Sequence, residues 1–253
     1  MCCFSRSVRR VADTNIFARA TTGGRQYVVY SMHLDAAEEL AMILPIPVPP
    51  KSPERAVRFL NFEQYPEFFA DLRSGFPVPK SDGFSRGGKI KAPMAAKPKL
   101  EVVSVGSFDA SFVPSVADFD RLDERFRLPS NVWDDLPQYK DYGFAVFKLK
   151  SGDHKVHPMA FEFPRARPDE LFFPTVHIHD GKVKPRARFD HDLYCQRSAD
   201  ERLTDWTESP GLARSFVRKL SLVDGIVDPD GHCYRKQMRG VFDNIDVKVA
   251  TDA

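Results

Sequence analysis

The chain has 253 residues, 42% of them hydrophobic, with 37 Lys and Arg against 35 Asp and Glu and a formal net charge of +2. This length and apolar content can bury a sizeable core without disulfides or metal, which excludes a disordered chain. The charge balance gives no basis for a nucleic-acid binder, and no run approaches the ~18 consecutive apolar residues of a membrane span, so the expected partner is a small molecule or a peptide.

Residues 15–20 and 26–34 read as strands separated by the turn Thr22-Gly23-Gly24. Residues 39–48 are apolar but carry Pro45 and Pro47, which belong at a sheet edge or a strand end because proline donates nothing to a ladder. From 53 to 73 the period changes, and Val57, Leu60, Phe62, Phe68, Phe69 and Leu72 suggest one or two short helices broken near Pro66. The segment 77–99 is rich in Pro, Gly, Lys and Ala and has linker composition. It divides the chain into an N-terminal β-rich lobe, 1–76, and a C-terminal lobe, 100–253.

Strand character resumes at 100–113. Ser115 is placed to cap a helix over 115–126, where Val116, Phe119, Leu122 and Phe126 keep helical spacing. Strands are expected at 143–150, 156–163, 171–179 and 187–196, with turns at Ser151-Gly152-Asp153 and Asp180-Gly181-Lys182. A helix is expected at 210–220 and a last strand at 241–249. The order points to an α+β fold of mainly antiparallel sheets with a few inserted helices, possibly in two lobes.

The densest chemistry lies between Pro174 and Cys195. His177 and His179 are two apart and share one face of a strand. His191 and Cys195, four apart on the next strand, share a face with each other. Two ligands from each arm of one hairpin would suit a tetrahedral zinc site or one for a similar metal. Register decides whether the pairs meet: His177 faces either His191 or Asp190, and a one-residue slip exchanges them. A hydrogen-bonded structural histidine is the commoner role for each residue.

The chain holds four cysteines, Cys2, Cys3, Cys195 and Cys233, and its first residues have no apolar signal-like run, so free thiols in a reducing cytoplasm are expected. Removal of Met1 would leave Cys2 with a free α-amine, of reference pKa near ~8, able to serve as base for its own thiol. Cys3 is the alternative thiol. Basic residues cluster at Arg6, Arg9 and Arg10 and again at Lys182, Lys184, Arg186 and Arg188. Solvated surface is the usual role of such clusters, and an anion site the rarer one.

Met1-Cys2 followed by Asn15-Ile-Phe-Ala-Arg19 resembles the opening of the cysteine-type N-terminal-nucleophile hydrolases, which include bile-salt hydrolases and penicillin V acylase. That resemblance implies a hydrolase acting on an amide-like C–N bond, with Cys2 as nucleophile and Arg19 beside it. The Asp that follows the Arg in that family is missing here, where Ala20 stands. A longer resemblance, to the family known as domain of unknown function 2330, rests on several blocks. These are Cys2-Cys3-Phe4-Ser5, Asn15-Ile-Phe-Ala, Leu40 to Pro49, Tyr142 to Leu149, His157 to Pro164 and Leu171-Phe-Phe-Pro174. It implies a shared fold and no activity. The N-terminal segment and the histidine stretch could form one site if the fold brought Cys2 or Cys3 beside His177, with an aspartate such as Asp190 orienting the imidazole.

Overall fold

The structure is a computed structural model and describes residues 3–76, 102–106, 108–128, 131–178, 182–197, 203–223 and 225–251. The first four strands are β1 (Cys3–Phe4), β2 (Arg10–Ala20), β3 (Arg25–Ala36) and β4 (Leu40–Ile46). Then come β5 (Arg58–Leu60), helix α1 (Phe68–Ser74), β6 (Val103–Val105), β7 (Phe108–Val113) and the short helix α2 (Asn131–Asp134). The remaining strands are β8 (Gly143–Leu149), β9 (Gly152–Lys155), β10 (Met159–Pro164), β11 (Glu170–Phe173), β12 (Arg186–Gln196), β13 (Thr207–Leu212), β14 (His232–Asp243) and β15 (Val247–Ala250).

One sheet runs β1-β4-β8-β7-β6 and a larger one β13-β14-β12-β2-β3-β10-β5, with β9 also on β3; β11 and β15 form a separate ribbon. All pairings between these strands are antiparallel except β12 with β2. The molecule is therefore dominated by antiparallel sheet, with few helices, as the sequence suggested in outline. The two lobes are a correction. β4 pairs with β8, β2 with β12 and β3 with β10, so each sheet takes strands from both sides of the 77–99 segment.

The sheets share a core in which Phe59 of the larger one meets Phe147 of the smaller edge-on, with ring centroids 5.5 Å apart. Each such phenylalanine withdrawn from water contributes roughly 2–3 kcal/mol. The outer face of the larger sheet is covered by α1 and by turns near Phe216 and Ile226; that of the smaller sheet is covered by Phe119, Trp133 and Tyr139. Central strands thus bury both faces, and all seven residues of β4 are buried. A strand of this kind loses its polar alternation and reads as a continuous apolar run. Among the described residues β1, the neighbour on one side, pairs with Met42 and Ile43 and leaves Pro45 without a ladder partner there.

Several expected elements take other forms. Residues 115–126 make two 3-10 turns, Val116–Arg121 and Glu124–Phe126, and the Ser115 hydroxyl bonds the Asp118 carboxylate at 2.7 Å instead of capping the backbone. The expected helix at 210–220 is the end of β13 followed by the 3-10 turn Ala213–Ser215. The expected last strand is divided: β14 ends at Asp243 and β15 begins at Val247. Among the described residues no helix is long and apolar enough to cross a membrane.

Candidate functional site

The histidine hairpin does not form. β11 ends at Phe173, pairs with β15, and never meets β12, which lies between β14 and β2. Pro174 follows β11 and has no N–H to offer a ladder. The next three amides are taken up by side chains from the turn between β14 and β15. The Asp246 carboxylate accepts from the Thr175 N–H at 2.8 Å and the Val176 N–H at 3.0 Å. Asn244 accepts from the His177 N–H at 2.7 Å and donates to the carbonyls of His177 and Lys184, both at 2.9 Å. Tyr139 donates its hydroxyl to Asp246 at 2.5 Å. Burial of the Asp246 carboxyl outweighs the hydrogen bonds it accepts and holds it above the ordinary aspartate range.

This clasp brings His177 to His191 by a route other than strand pairing. Their rings lie 5.1 Å apart, inclined by 30°, with Phe189 at 4.3 Å from His177 and 5.0 Å from His191. His191 is fully buried and His177 is 7% exposed. The Asp190 N–H donates to His191 Nδ1 at 3.2 Å, so the neutral ring carries its proton on Nε2. The contact between His177 and His191 is therefore made, but without the strand ladder that either register of the sequence reading assumed.

The four-ligand zinc set is not. Cys195 lies four residues from His191 on one strand, ~13 Å away along it, so the two cannot share a tetrahedral ion. Burial in the sheet core also pushes the Cys195 thiol far up, away from the thiolate that zinc requires. His179 falls outside the described residues. Among the described residues no three His, Cys, Asp or Glu side chains converge on a metal position.

The N-terminal segment reaches the backbone of Ile178, next to His177 in the chain. β1 lies between β4 and residue 178: Cys3 pairs with Ile43 on one side, bridges Ile178 on the other, and the Phe4 N–H donates to the Ile178 carbonyl at 3.1 Å. Cys3 itself is fully buried among apolar side chains, which leaves its thiol out of reach of a substrate. Cys2 falls outside the described residues. Arg19 stands at the end of β2, in the other sheet, and donates to the carbonyls of Gly225 at 2.8 Å and Ile226 at 3.3 Å. That use is structural. The Asp190 carboxylate accepts from the Asp13 N–H at 3.1 Å and pairs with Arg239 at 3.2 Å.

A polar network on the outer side of the larger sheet escaped the sequence reading. Arg73 of α1 donates to Asp13 at 3.0 Å and Asn15 at 3.1 Å, and lies 3.5 Å from the buried Asp192. Arg239 reaches the same Asp192 at 3.0 Å. Asp13 has φ +48° and sits at a bulge where β2 shifts register against β3. No spacing in the sequence announces contacts between residues 13, 73, 192 and 239.

No family model matches the chain, and no curated protein matches it in sequence. Solved structures do match. The crystal structure of baculovirus P35 aligns over 96% of this chain and 97% of that one, with a TM-score of 0.51 and 13% identity. A mutated baculovirus P35 after caspase cleavage aligns over 96% and 98%, with a TM-score of 0.51 and 14% identity. The caspase-8/P35 complex aligns over 95% and 96%, with a TM-score of 0.50 and 12% identity. At these identities the likeness is one of fold, and it extends from one end of the chain to the other.

Proposed function

We propose that the protein is a binding protein whose partner is a cysteine protease of the caspase class, acting in a reducing cytoplasm. The observation that supports this most is the end-to-end fold correspondence with P35, one solved form of which is in complex with caspase-8 and another of which has been cut by a caspase. The sequence adds a second support. The linker-like segment between α1 and β6 is of the composition that proteases accept, and between residues 77 and 100 it holds one acidic residue, Asp82. The test is to mix the protein with active caspase-8, separate by size, and weigh the fragments. A stable complex and two fragments that sum to the intact chain plus one water support the reading. An intact chain that never co-elutes with the protease overturns it.

A second reading keeps the N-terminal thiol. It is favoured by the bridge between Cys3 and Ile178, the chain neighbours of Cys2 and His179. In this reading Cys2, freed of Met1, is a nucleophile toward an amide-like C–N bond, with its own α-amine or a nearby imidazole as base. Replacing Cys2 by Ser should then abolish the activity while leaving stability unchanged. An intact mass showing Met1 retained in active protein would sink it.

A further inference from the structure

Members of the two basic clusters of the sequence converge, Arg9 and Arg10 from the first and Arg188 from the second. From Thr14 and His191 onward β2 and β12 run side by side; before that point they part. At the fork the Asp13 N–H donates to Asp190, and above it opens a cleft of about 610 Å³ lined by Val8–Val11, Arg188–Asp190, Arg239 and Gly240. That size falls within the ~300–1,000 Å³ typical of ligand sites. Two strand edges border it. From Arg186 to Asp190, β12 is paired on its β14 side, and from Arg10 to Ala12, β2 is paired on its β3 side; among the described residues neither carries a strand partner on the side facing the cleft.

Four guanidinium groups line this space. Arg9 is paired with Asp35, and Arg239 with Asp190 and Asp192. The guanidinium groups of Arg10 and Arg188 are exposed and make no hydrogen bond or ion pair among the described residues. The floor is apolar where Phe189 closes it, and exposed Val241 and Phe242 stand on the adjoining β14, opposite Arg188 and Ala187.

We propose that this cleft binds an extended, acidic segment of a partner protein, which adds as a strand along residues 186–190 of β12 and sets its carboxylates against Arg10 and Arg188. An open strand edge supplies backbone donors and acceptors in the spacing a peptide matches, and alternate side chains supply specificity. A nucleic acid would use the arginines and leave the edge and the apolar floor unused. Five residues of strand span ~16 Å, enough to align four or five residues of the ligand. The site does not depend on the protease reading, since it needs neither the 77–99 segment nor Cys2.

The test uses the full chain and a fluorescein-labelled octapeptide alternating Val with Glu, followed by fluorescence anisotropy. The acidic peptide should bind, its lysine counterpart should not, and added salt should weaken binding. The Arg10→Glu, Arg188→Glu double variant should lose at least ~10-fold in affinity with an unchanged unfolding midpoint, and the milder Arg10→Gln, Arg188→Gln pair should lose less. A peptide N-methylated at alternate residues should fail if the backbone adds to β12. Equal binding of the lysine peptide, of the N-methylated peptide or by the double variants would overturn the proposal. So would an oligothymidylate that binds more tightly than the acidic peptide.

Discussion

Asn244 holds His177 by both of its backbone groups, accepting from the N–H at 2.7 Å and donating to the carbonyl at 2.9 Å. It does for residue 177 what a neighbouring strand would otherwise do. Because both residues are buried, cutting this clasp leaves backbone groups without compensation. Asn244→Ala should cost about 3 kcal/mol, read as a lowered denaturant midpoint at unchanged slope. An unchanged midpoint would mean that water replaces the side chain and that His177 is not held in this way.

Asp246 gives a prediction of the opposite kind. Its carboxyl is held above the ordinary range chiefly by burial, so the folded chain keeps a proton that the unfolded chain has already released. Stability from this group is therefore greatest below the unfolded aspartate pKa and declines as pH rises through the folded one. Asp246→Asn should remove that decline. Its carbonyl can accept from Thr175 and Val176, and its amide can donate to the Tyr139 hydroxyl. Thermal unfolding from pH 4 to 8 should show a flatter profile in the variant; parallel profiles would count against it.

Thiol titration separates the cysteines. Cys3, Cys195 and Cys233 are free and buried, and burial pushes the Cys233 thiol up to about 12 and that of Cys195 further. Thiolate is the reactive form, so none of the three should react at pH 8 in the native protein. A disulfide-exchange reagent should count at most one thiol natively and all four in denaturant. Zero native thiols would remove the N-terminal nucleophile reading; two or more would show that the core opens.

Zinc gives a further check on the histidine pair. Two stacked imidazoles with Cys195 ~13 Å away along the strand make a poor site, so equilibrium dialysis should find below about a tenth of an equivalent bound. One full equivalent, lost in His191→Ala, would contradict the geometry.

What was legible in the sequence follows from what each segment buries. β2, β3, β8, β10 and β12 were readable because apolar runs bounded by Gly and Asp turns leave few alternatives. The false helix at 115–126 arose because Val116, Phe119 and Leu122 do face one core, but through 3-10 turns whose three-residue repeat mimics helical spacing over so short a stretch. The hairpin failed for a non-local reason: Pro174 ends the ladder and Asn244 and Asp246, some 70 positions on, take over its amides. His177 and His191 were identified individually, and their meeting depended on that clasp. The arginine cleft was visible only as two separate basic clusters, since the bulge at Asp13 that parts β2 from β12 has no sequence signature.

The central claim, a caspase-class partner, is tested most directly by titrating active caspase-8 with the purified chain and reading residual cleavage of a small aspartyl substrate. A linear fall to zero near one equivalent, with cleaved chain in the complex, is the expected result. Full activity at about tenfold excess, beyond the range in which a binder tighter than micromolar would saturate, would contradict it.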